Sequence, residues 1–198
     1  MSQRNRGKSK GSAYERDFCK RLSLWFTGGK NAKAFWRSPS SGAMATQSAG
    51  KDCVKFTQGD VIGCSPEAVE LMENVTIELK RGYKYDFIDL VAKNFVNSCL
   101  MKFYKQLNEE MHSGSSEFGF LVLKQDRKSE VVVMPKDTFA ALSGNGILMC
   151  RSYAQFVIWS TCMYAVSLDT FFKMNPAAFY FFVTRKEYND EVASKFLP

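Results

Sequence analysis

The alternation of apolar and polar side chains in residues 75–80 constrains the fold more than any other feature of this chain. Successive side chains of a β-strand point to opposite faces, so the pattern predicts a strand with an apolar face on a core and with Glu78 and Lys80 on the other face. Packing of the apolar face would hold both charged groups in place. Asp60 precedes this strand by enough residues for a short strand, a loop at 64–67 and a return beside it. Two carboxylates and a lysine are therefore predicted to meet at one point.

Two carboxylates beside an amine suit a magnesium site for hydrolysing phosphodiesters. Mg²⁺ prefers oxygen ligands and is usually held by one or two carboxylates together with the phosphate of a substrate. Asp60 and Glu78 are the predicted ligands, and Mn²⁺ is expected to substitute for Mg²⁺. Lys80 is predicted to position the attacking water or to stabilise charge on the phosphate. A single Glu-x-Lys triplet is more often a solvated ion pair on an exposed strand, but Gly59 and Asp60 upstream favour the catalytic interpretation.

Six ordered blocks of the chain resemble those of the PD-(D/E)XK nuclease superfamily, in particular Holliday-junction-resolvase-like and related phage endonucleases. The blocks are GSAYERDF (11–18), FWRSPSSG (35–42), QGDVI (58–62), IELK (77–80), FYKQ (103–106) and GFLVLK (119–124). The resemblance covers roughly residues 11–134. It implies an α/β fold with a mixed central β-sheet flanked by helices, which the order strand, helix, strand and strand also indicates. One departure is Gly59, which stands where the family name implies a proline.

The resemblance also implies roles for two residues outside the central strand. An acid on the first helix of these nucleases completes the metal site directly or through water, and Glu15 takes that position here. Alternatively, Ser12 and Glu15 form a capping box in which Glu15 bonds an unpaired backbone donor. The family counterpart of Gln106 points toward the site, where such a residue would contact the catalytic side chains rather than the metal. From the sequence alone, Gln106 is one polar residue on a helix.

Several cations and hydroxyls are candidates for contact with DNA. A long Ser/Gly/Thr-rich loop follows the strand predicted at 34–38, and loops of that length are often functional. Arg37 at the end of this strand and the hydroxyls of Ser40 and Ser41 could bind phosphate oxygens, as the corresponding Arg and Ser do in the resembled enzymes. Gly42 would let the backbone approach the phosphates closely. The segment 81–85 mixes cations with aromatics, which suits phosphate contact and base stacking. The candidates are Arg37, Ser40, Ser41, Gly42, Arg81 and Lys124. A loop without function and a polar turn with packing tyrosines are the alternatives.

Charge and composition agree with a nuclease and exclude several other classes. The 27 Lys and Arg against 20 Asp and Glu give a net charge of +7, which favours a polyanionic partner. With one histidine and six cysteines that form no Cys-x-x-Cys pair, zinc sites and Ser/His or Cys/His catalysis are not expected. The sequence contains no phosphate-binding glycine loop, so a nucleotide cofactor is not expected. Neither a membrane span nor a signal peptide is recognised, so a cytoplasmic location is expected, that of the host if the chain is phage-encoded.

The chain is expected to form one domain in three parts. Residues 1–10 are basic, lack acids and are expected to be a disordered tail. Residues 11–134 form the predicted nuclease core, with helices at 12–26 and, from apolar residues that step by four, at 87–111. Residues 135–198 are an extension of the same domain that is dense in aromatic residues. Those residues either pack in the core or form a dimer interface.

These observations predict a metal-dependent DNA endonuclease, most specifically a structure-selective Holliday junction resolvase. Resolution needs two symmetric cuts, so a homodimer with twofold symmetry is expected. One alternative is a nuclease with the same core that acts on duplex or flap DNA, because a fold does not determine its substrate. The other is a non-catalytic DNA-binding accessory protein of replication.

Overall fold

The computed structural model describes residues 3–38, 59–83, 99–158 and 160–198, and of residues 3–10 it describes the backbone alone. The described part folds as a mixed β-sheet flanked by helices. In chain order the elements are α1 (Gln3–Phe26), β1 (Phe35–Arg37), β2 (Val61–Gly63), α2 (Pro66–Met72), β3 (Val75–Arg81), α3 (Cys99–Gly114), β4 (Phe118–Lys124), β5 (Val131–Pro135), α4 (Lys136–Gly144), β6 (Ala154–Ile158), β7 (Thr161–Ser167), α5 (Leu168–Phe171), α6 (Pro176–Thr184), α7 (Asp190–Ala193) and a 3₁₀ turn (Ser194–Phe196).

The central sheet has five strands in the order β3-β4-β5-β7-β6. Strands β3 and β4 are parallel, which requires the long connection that contains α3, and the other neighbours are antiparallel. Strands β1 and β2 form a separate antiparallel pair. The predicted α/β fold with a mixed central sheet is confirmed.

Helices cover both faces of β3, and the predicted alternation decides which side chains each face carries. Val75, Ile77 and Leu79 are buried in one core cluster with the apolar side of α1. The opposite face of the neighbouring strands packs against α3 in a second cluster. Each large apolar side chain that is fully buried contributes about 1.5–3 kcal/mol to stability. Strand β3 is therefore fixed from one side by α1 while its polar side chains face α3.

A helix begins inside the loop predicted at residues 64–67. Helix α2 begins at Pro66, and the side chain of Ser65 caps it by accepting a hydrogen bond from the backbone N–H of Ala68 at 3.3 Å. Serine before a helix and proline at its first position are both favourable starts, since the missing N–H of proline costs nothing there. The predicted loop is present at Cys64 and Ser65, but the prediction missed the helix that this Ser-Pro pair starts.

Helix α1 begins nine residues before the predicted start at Ser12, inside the segment expected to be disordered. Extending an existing helix costs far less than starting one, and Arg, Lys and Gln are good helix formers. The helix predicted at 87–111 corresponds to α3. Helix α3 is described from Cys99 onward, so the predicted portion at 87–98 lies outside the described residues.

The aromatic residues of the last third extend the core beside α1. Phe179 and Tyr180 of α6 are buried, and their rings contact Trp25 and Phe26 respectively. The Tyr180 hydroxyl donates a hydrogen bond to Glu70, which ties α6 to α2. The buried residues of α6 therefore belong to the same core cluster as those of α1. Among the described residues, no helix is both long enough and apolar enough to cross a membrane.

Candidate active site

Asp60 is brought beside β3 by two backbone contacts that depend on Gly59. The Asp60 N–H donates to Ile77 O at 2.9 Å, and Asp60 Oδ2 accepts from the Leu79 N–H at 2.8 Å. Gly59 has a φ of +75°, and a Cβ there would lie 2.7 Å from Ile77 O. Glycine is required for both reasons, because other residues are strained at that φ and none could come so close to the strand. Gly59 stands where the family name implies a proline, and the Asp60 carboxylate still lies beside β3.

Glu78 and Lys80 leave the same face of β3, as the alternation predicts. Glu78 Oε2 lies 2.5 Å from Lys80 Nζ. The Glu78 side chain is 1% exposed and that of Lys80 is 15% exposed, so the pair is shielded from water. The solvated ion pair considered as an alternative does not describe this geometry.

Gln106 of α3 joins the acid to the lysine through its amide. Its Oε1 accepts from Lys80 Nζ at 2.9 Å, and its Nε2 donates to Glu78 Oε1 at 2.9 Å. Nε2 also donates to Glu110 Oε1 at 2.9 Å. An amide nitrogen can serve two carboxylates while the amide oxygen can only accept, so these partners fix the orientation of the amide. Gln106 therefore contacts both Glu78 and Lys80, and the supporting role that the resemblance implies for it stays a prediction.

Glu110 is a residue of the site that the sequence analysis missed. It lies one helical turn after Gln106, and residues four apart on a helix share a face. That spacing is the only signal the sequence gives. The charge of Glu110 adds to the factors that raise the pKa values of Asp60 and Glu78, so the three carboxylates lie in one electrostatic neighbourhood.

Burial and crowding shift the pKa values at this site. Burial, followed by the charge of Asp60, raises the pKa of Glu78 to about 9. Burial also raises the pKa of Asp60, although the hydrogen bond from the Leu79 N–H opposes the shift. For Lys80, burial is the largest effect and would lower the pKa, but the charge of Glu78, the hydrogen bond to Glu78 and the charge of Asp60 together outweigh burial, so the pKa rises. Lys80 is therefore a cation at neutral pH, and the carboxylates hold a proton that a bound cation would replace.

The raised pKa of Glu78 predicts how the stability of the metal-free protein depends on pH. The folded state binds a proton between the ordinary pKa of 4.5 and about 9, a window in which the unfolded chain has lost it. Stability is therefore expected to fall as pH rises through that window, and Glu78→Ala should reduce the fall. Thermal melts in EDTA from about pH 5 to about pH 9 would measure the difference. Parallel pH profiles for the two proteins would contradict the assignment.

The residues present fit a divalent cation. Asp60 and Glu78 offer oxygen donors, the kind that Mg²⁺ and Mn²⁺ prefer. Glu78 Oε2 and Glu110 Oε2 are buried, and neither has a hydrogen bond from a described residue, although Glu78 is ion-paired with Lys80. Buried acceptors of this kind usually have a partner, which a cation with its waters would supply. In the part of the chain that the structure describes, no group of three or more His, Cys, Asp and Glu side chains is arranged to hold a metal ion.

Glu15 lies near this site, and its place in the metal shell stays a prediction. Its Oε2 forms an ion pair with Arg37 at 3.0 Å, and both side chains are largely buried. Burial first, and then the charges of Glu15, Cys64 and Asp60, raise the pKa of the Cys19 thiol. Glu15 and Asp60 therefore share the electrostatic surroundings of Cys19. Arg37 is one described partner of Glu15.

Two of the candidates for DNA contact, Arg81 and Lys124, lie on the face of the sheet opposite Lys80. Arg81 leaves β3 on the face opposite Lys80, where its guanidinium lies 5.7 Å from the centre of the Tyr14 ring. Lys124 ends β4 beside Arg81, and its Nζ donates to Lys128 O at 2.8 Å. Arg37 faces Glu15. The remaining candidates, Ser40, Ser41 and Gly42, lie outside the described residues, so all six contacts stay predictions.

Comparison with known families supports the resemblance seen in the sequence. The family described as phage putative PDDEXK endonuclease matches residues 6–180. This range includes Asp60, Glu78, Lys80 and Gln106. Comparison with curated proteins gave no match, and comparison with solved structures gave none either. The chain therefore belongs to this family of PD-(D/E)XK endonucleases.

Proposed function

We propose that this protein is a metal-dependent DNA endonuclease that hydrolyses phosphodiester bonds. One observation carries the proposal: Asp60 and Glu78 lie beside Lys80 in a shielded site, and Gln106 bonds both the acid and the lysine. A purely structural ion pair would not need a second carboxylate beside it, because adding one raises the pKa of the first and costs stability. Such a cost is typical of functional sites.

Each side chain has a distinct role in the proposed reaction. Asp60 and Glu78 hold Mg²⁺ or Mn²⁺, and Glu15 is proposed to complete the shell. A divalent ion at this point supplies Lewis acidity, which polarises a phosphodiester and acidifies water. Lys80, a cation at neutral pH, stabilises negative charge on the phosphate or holds the attacking water. Gln106 keeps Glu78 and Lys80 in their relative positions through its fixed amide.

The proposed substrate is branched DNA. The net charge of +7 favours binding to a polyanion. We propose that the cations and hydroxyls named above contact the sugar-phosphate backbone. The resemblance to Holliday-junction-resolvase-like phage endonucleases supports a four-way junction as the substrate and a twofold-symmetric homodimer as the active species, acting in the host cytoplasm. A homodimer would place two such sites for paired cuts.

Cleavage of a labelled four-way junction beside a linear duplex of the same sequence tests this proposal. With Mg²⁺, we expect paired symmetric nicks confined to the junction and none with Glu78→Ala. Comparable cutting of the duplex or of a flap substrate would retain the nuclease and reject resolution. Tight, salt-sensitive binding without cutting would instead favour the accessory protein. Light scattering of the protein with and without junction would test the dimer.

A further inference from the structure

An open cleft of about 610 Å³ lies at the far side of the sheet from β3. Its lining comes from the ends of β5 and β7, from the segment before β6 and from the turn after α5. Met149, Arg151, Tyr153 and Lys173 are among the lining residues, and no aspartate or glutamate is. None of the four is part of the candidate active site.

The strand register places this cleft on the same end of the sheet as the catalytic lysine. Lys80 is the partner of Leu123, Leu123 of Val131, and Val131 of Ser167. Val131 and Ser167 both line the cleft. Three inter-strand spacings of about 4.8 Å place this part of the cleft about 14 Å from the backbone of Lys80. Lys124 ends the strand that lies between them.

The cleft combines two cations with exposed apolar surface. Arg151 and Lys173 are exposed, and neither has an ion pair recorded with a described residue. Met149 is 82% exposed and Tyr153 is 54% exposed. The cleft is therefore complementary to a ligand with both negative charge and an apolar face.

The Tyr153 ring is held in a fixed position despite its exposure. Its centre lies 5.2 Å from that of Phe139 and 5.4 Å from that of Tyr164. Phe139 and Tyr164 are themselves stacked with an interplanar angle of 6°. Rings in such contact hold one another, so little entropy is lost when a flat ligand packs on the open side.

We infer that this cleft binds a DNA segment whose bases are unpaired or unstacked, as at a branch point, with phosphates at Arg151 and Lys173 and a base stacked against Tyr153. Cations that follow the backbone, combined with an aromatic ring for the bases, are the means by which proteins bind single strands without sequence preference. A duplex keeps its bases stacked inside and cannot offer one to Tyr153. The inference rests on the proposed nuclease function. It adds to that function a second site, at the same end of the sheet as Lys80, for DNA that extends away from the active site.

Salt-dependent binding tests the two cations. The probe is a fluorescein-labelled oligothymidylate about a dozen nucleotides long, a length within the range that single-strand sites cover. It is titrated with the full chain in EDTA, so that no cleavage interferes. Each phosphate contact contributes about 0.7 to the slope of log K against log salt for a single strand. The double variant Arg151→Ala, Lys173→Ala should bind more weakly, with a slope lower by about 1.4.

A matched variant separates a local contact from a loss of overall charge. Lys30→Ala with Lys33→Ala removes the same two charges from the exposed α1–β1 turn, where Lys30 Nζ contacts Ser194 O. That control should keep the wild-type slope. Equal slopes for the two double variants would overturn the inference, as would a wild-type protein that does not bind the probe.

Paired tyrosine variants test the stacking contact. Tyr153→Ala should weaken binding about tenfold, while Tyr153→Phe keeps the ring and should bind like the wild type. Equal affinities for the two would reject the base-stacking site. Failure of the nuclease proposal is separate: wild-type binding that depends on the cleft, with no cleavage of any DNA in Mg²⁺, would retain the cleft and reject the enzyme.

Discussion

Replacing Glu78 by alanine is expected to lower the rate of metal-dependent DNA cleavage by about a thousandfold or more. The expected loss follows from removing one of the two carboxylates proposed to hold the ion, whose stabilisation of the transition state is worth several kcal/mol at tenfold per 1.36 kcal/mol. Single-turnover cleavage of a labelled substrate with saturating Mg²⁺ measures it. A folded Glu78→Ala protein that cuts within about tenfold of the wild-type rate would exclude Glu78 from the site.

The fold of this variant is expected to survive. A buried carboxylate whose pKa is raised to about 9 is destabilising in its charged form, so its removal has a compensating benefit. Lys80 keeps the acceptor Gln106 Oε1 at 2.9 Å. Glu109→Ala is a matched control, because Glu109 belongs to the same helix as Gln106 but its side chain is 65% exposed. The control should cut at the wild-type rate.

A second measurement distinguishes loss of chemistry from loss of binding. Without metal, Glu78 is protonated at neutral pH and becomes negatively charged as the pH rises past about 9, so Glu78→Ala should bind DNA as tightly as the wild type at neutral pH and more tightly above that pKa, where repulsion of the phosphate is relieved. Weaker binding by this variant in EDTA would indicate a misfolded site rather than a missing ligand.

The central strand and its acid were predictable because their signals are local. Period-two alternation in residues 75–80 fixed the face of Glu78 and Lys80, and the apolar half of the pattern then had to lie on a core. Asp60 was predictable by its spacing, but the reason for Gly59 was not. Only the structure shows that this position has a positive φ and lies too close to Ile77 O to carry a Cβ.

Residues whose roles depend on tertiary contacts could not be predicted in the same way. Glu110 looks like any other acid on an amphipathic helix until α3 is packed on β3 and its carboxylate meets the Gln106 amide. The cleft is a still clearer case, since it joins Arg151, Tyr153 and Lys173 from separate parts of the chain. No periodicity connects such residues, because the sheet order alone brings them together.

Lys80→Met is expected to slow cleavage by about a hundredfold to a thousandfold while leaving metal binding in place, which separates it from Glu78→Ala. The loss is that of one group that stabilises charge developing in the transition state. Methionine keeps much of the aliphatic stem, which packs near Phe103, whose ring centre is 5.4 Å from Lys80 Nζ. Lys80 is a cation at neutral pH because Glu78 and Asp60 raise its pKa against the effect of burial, so it contributes charge rather than acting as a base.

Metal affinity and cleavage rate must be measured together for Lys80→Met. Without the Lys80 ammonium beside it, the Glu78 carboxylate holds its proton more tightly, so metal must displace that proton at low pH. Calorimetry is therefore best done at about pH 9, where the proton is released more easily. There the variant should bind Mn²⁺ with an affinity close to that of the wild type and still cut slowly. Loss of both properties would make Lys80 a support for the carboxylates, and retention of both would remove it from the reaction.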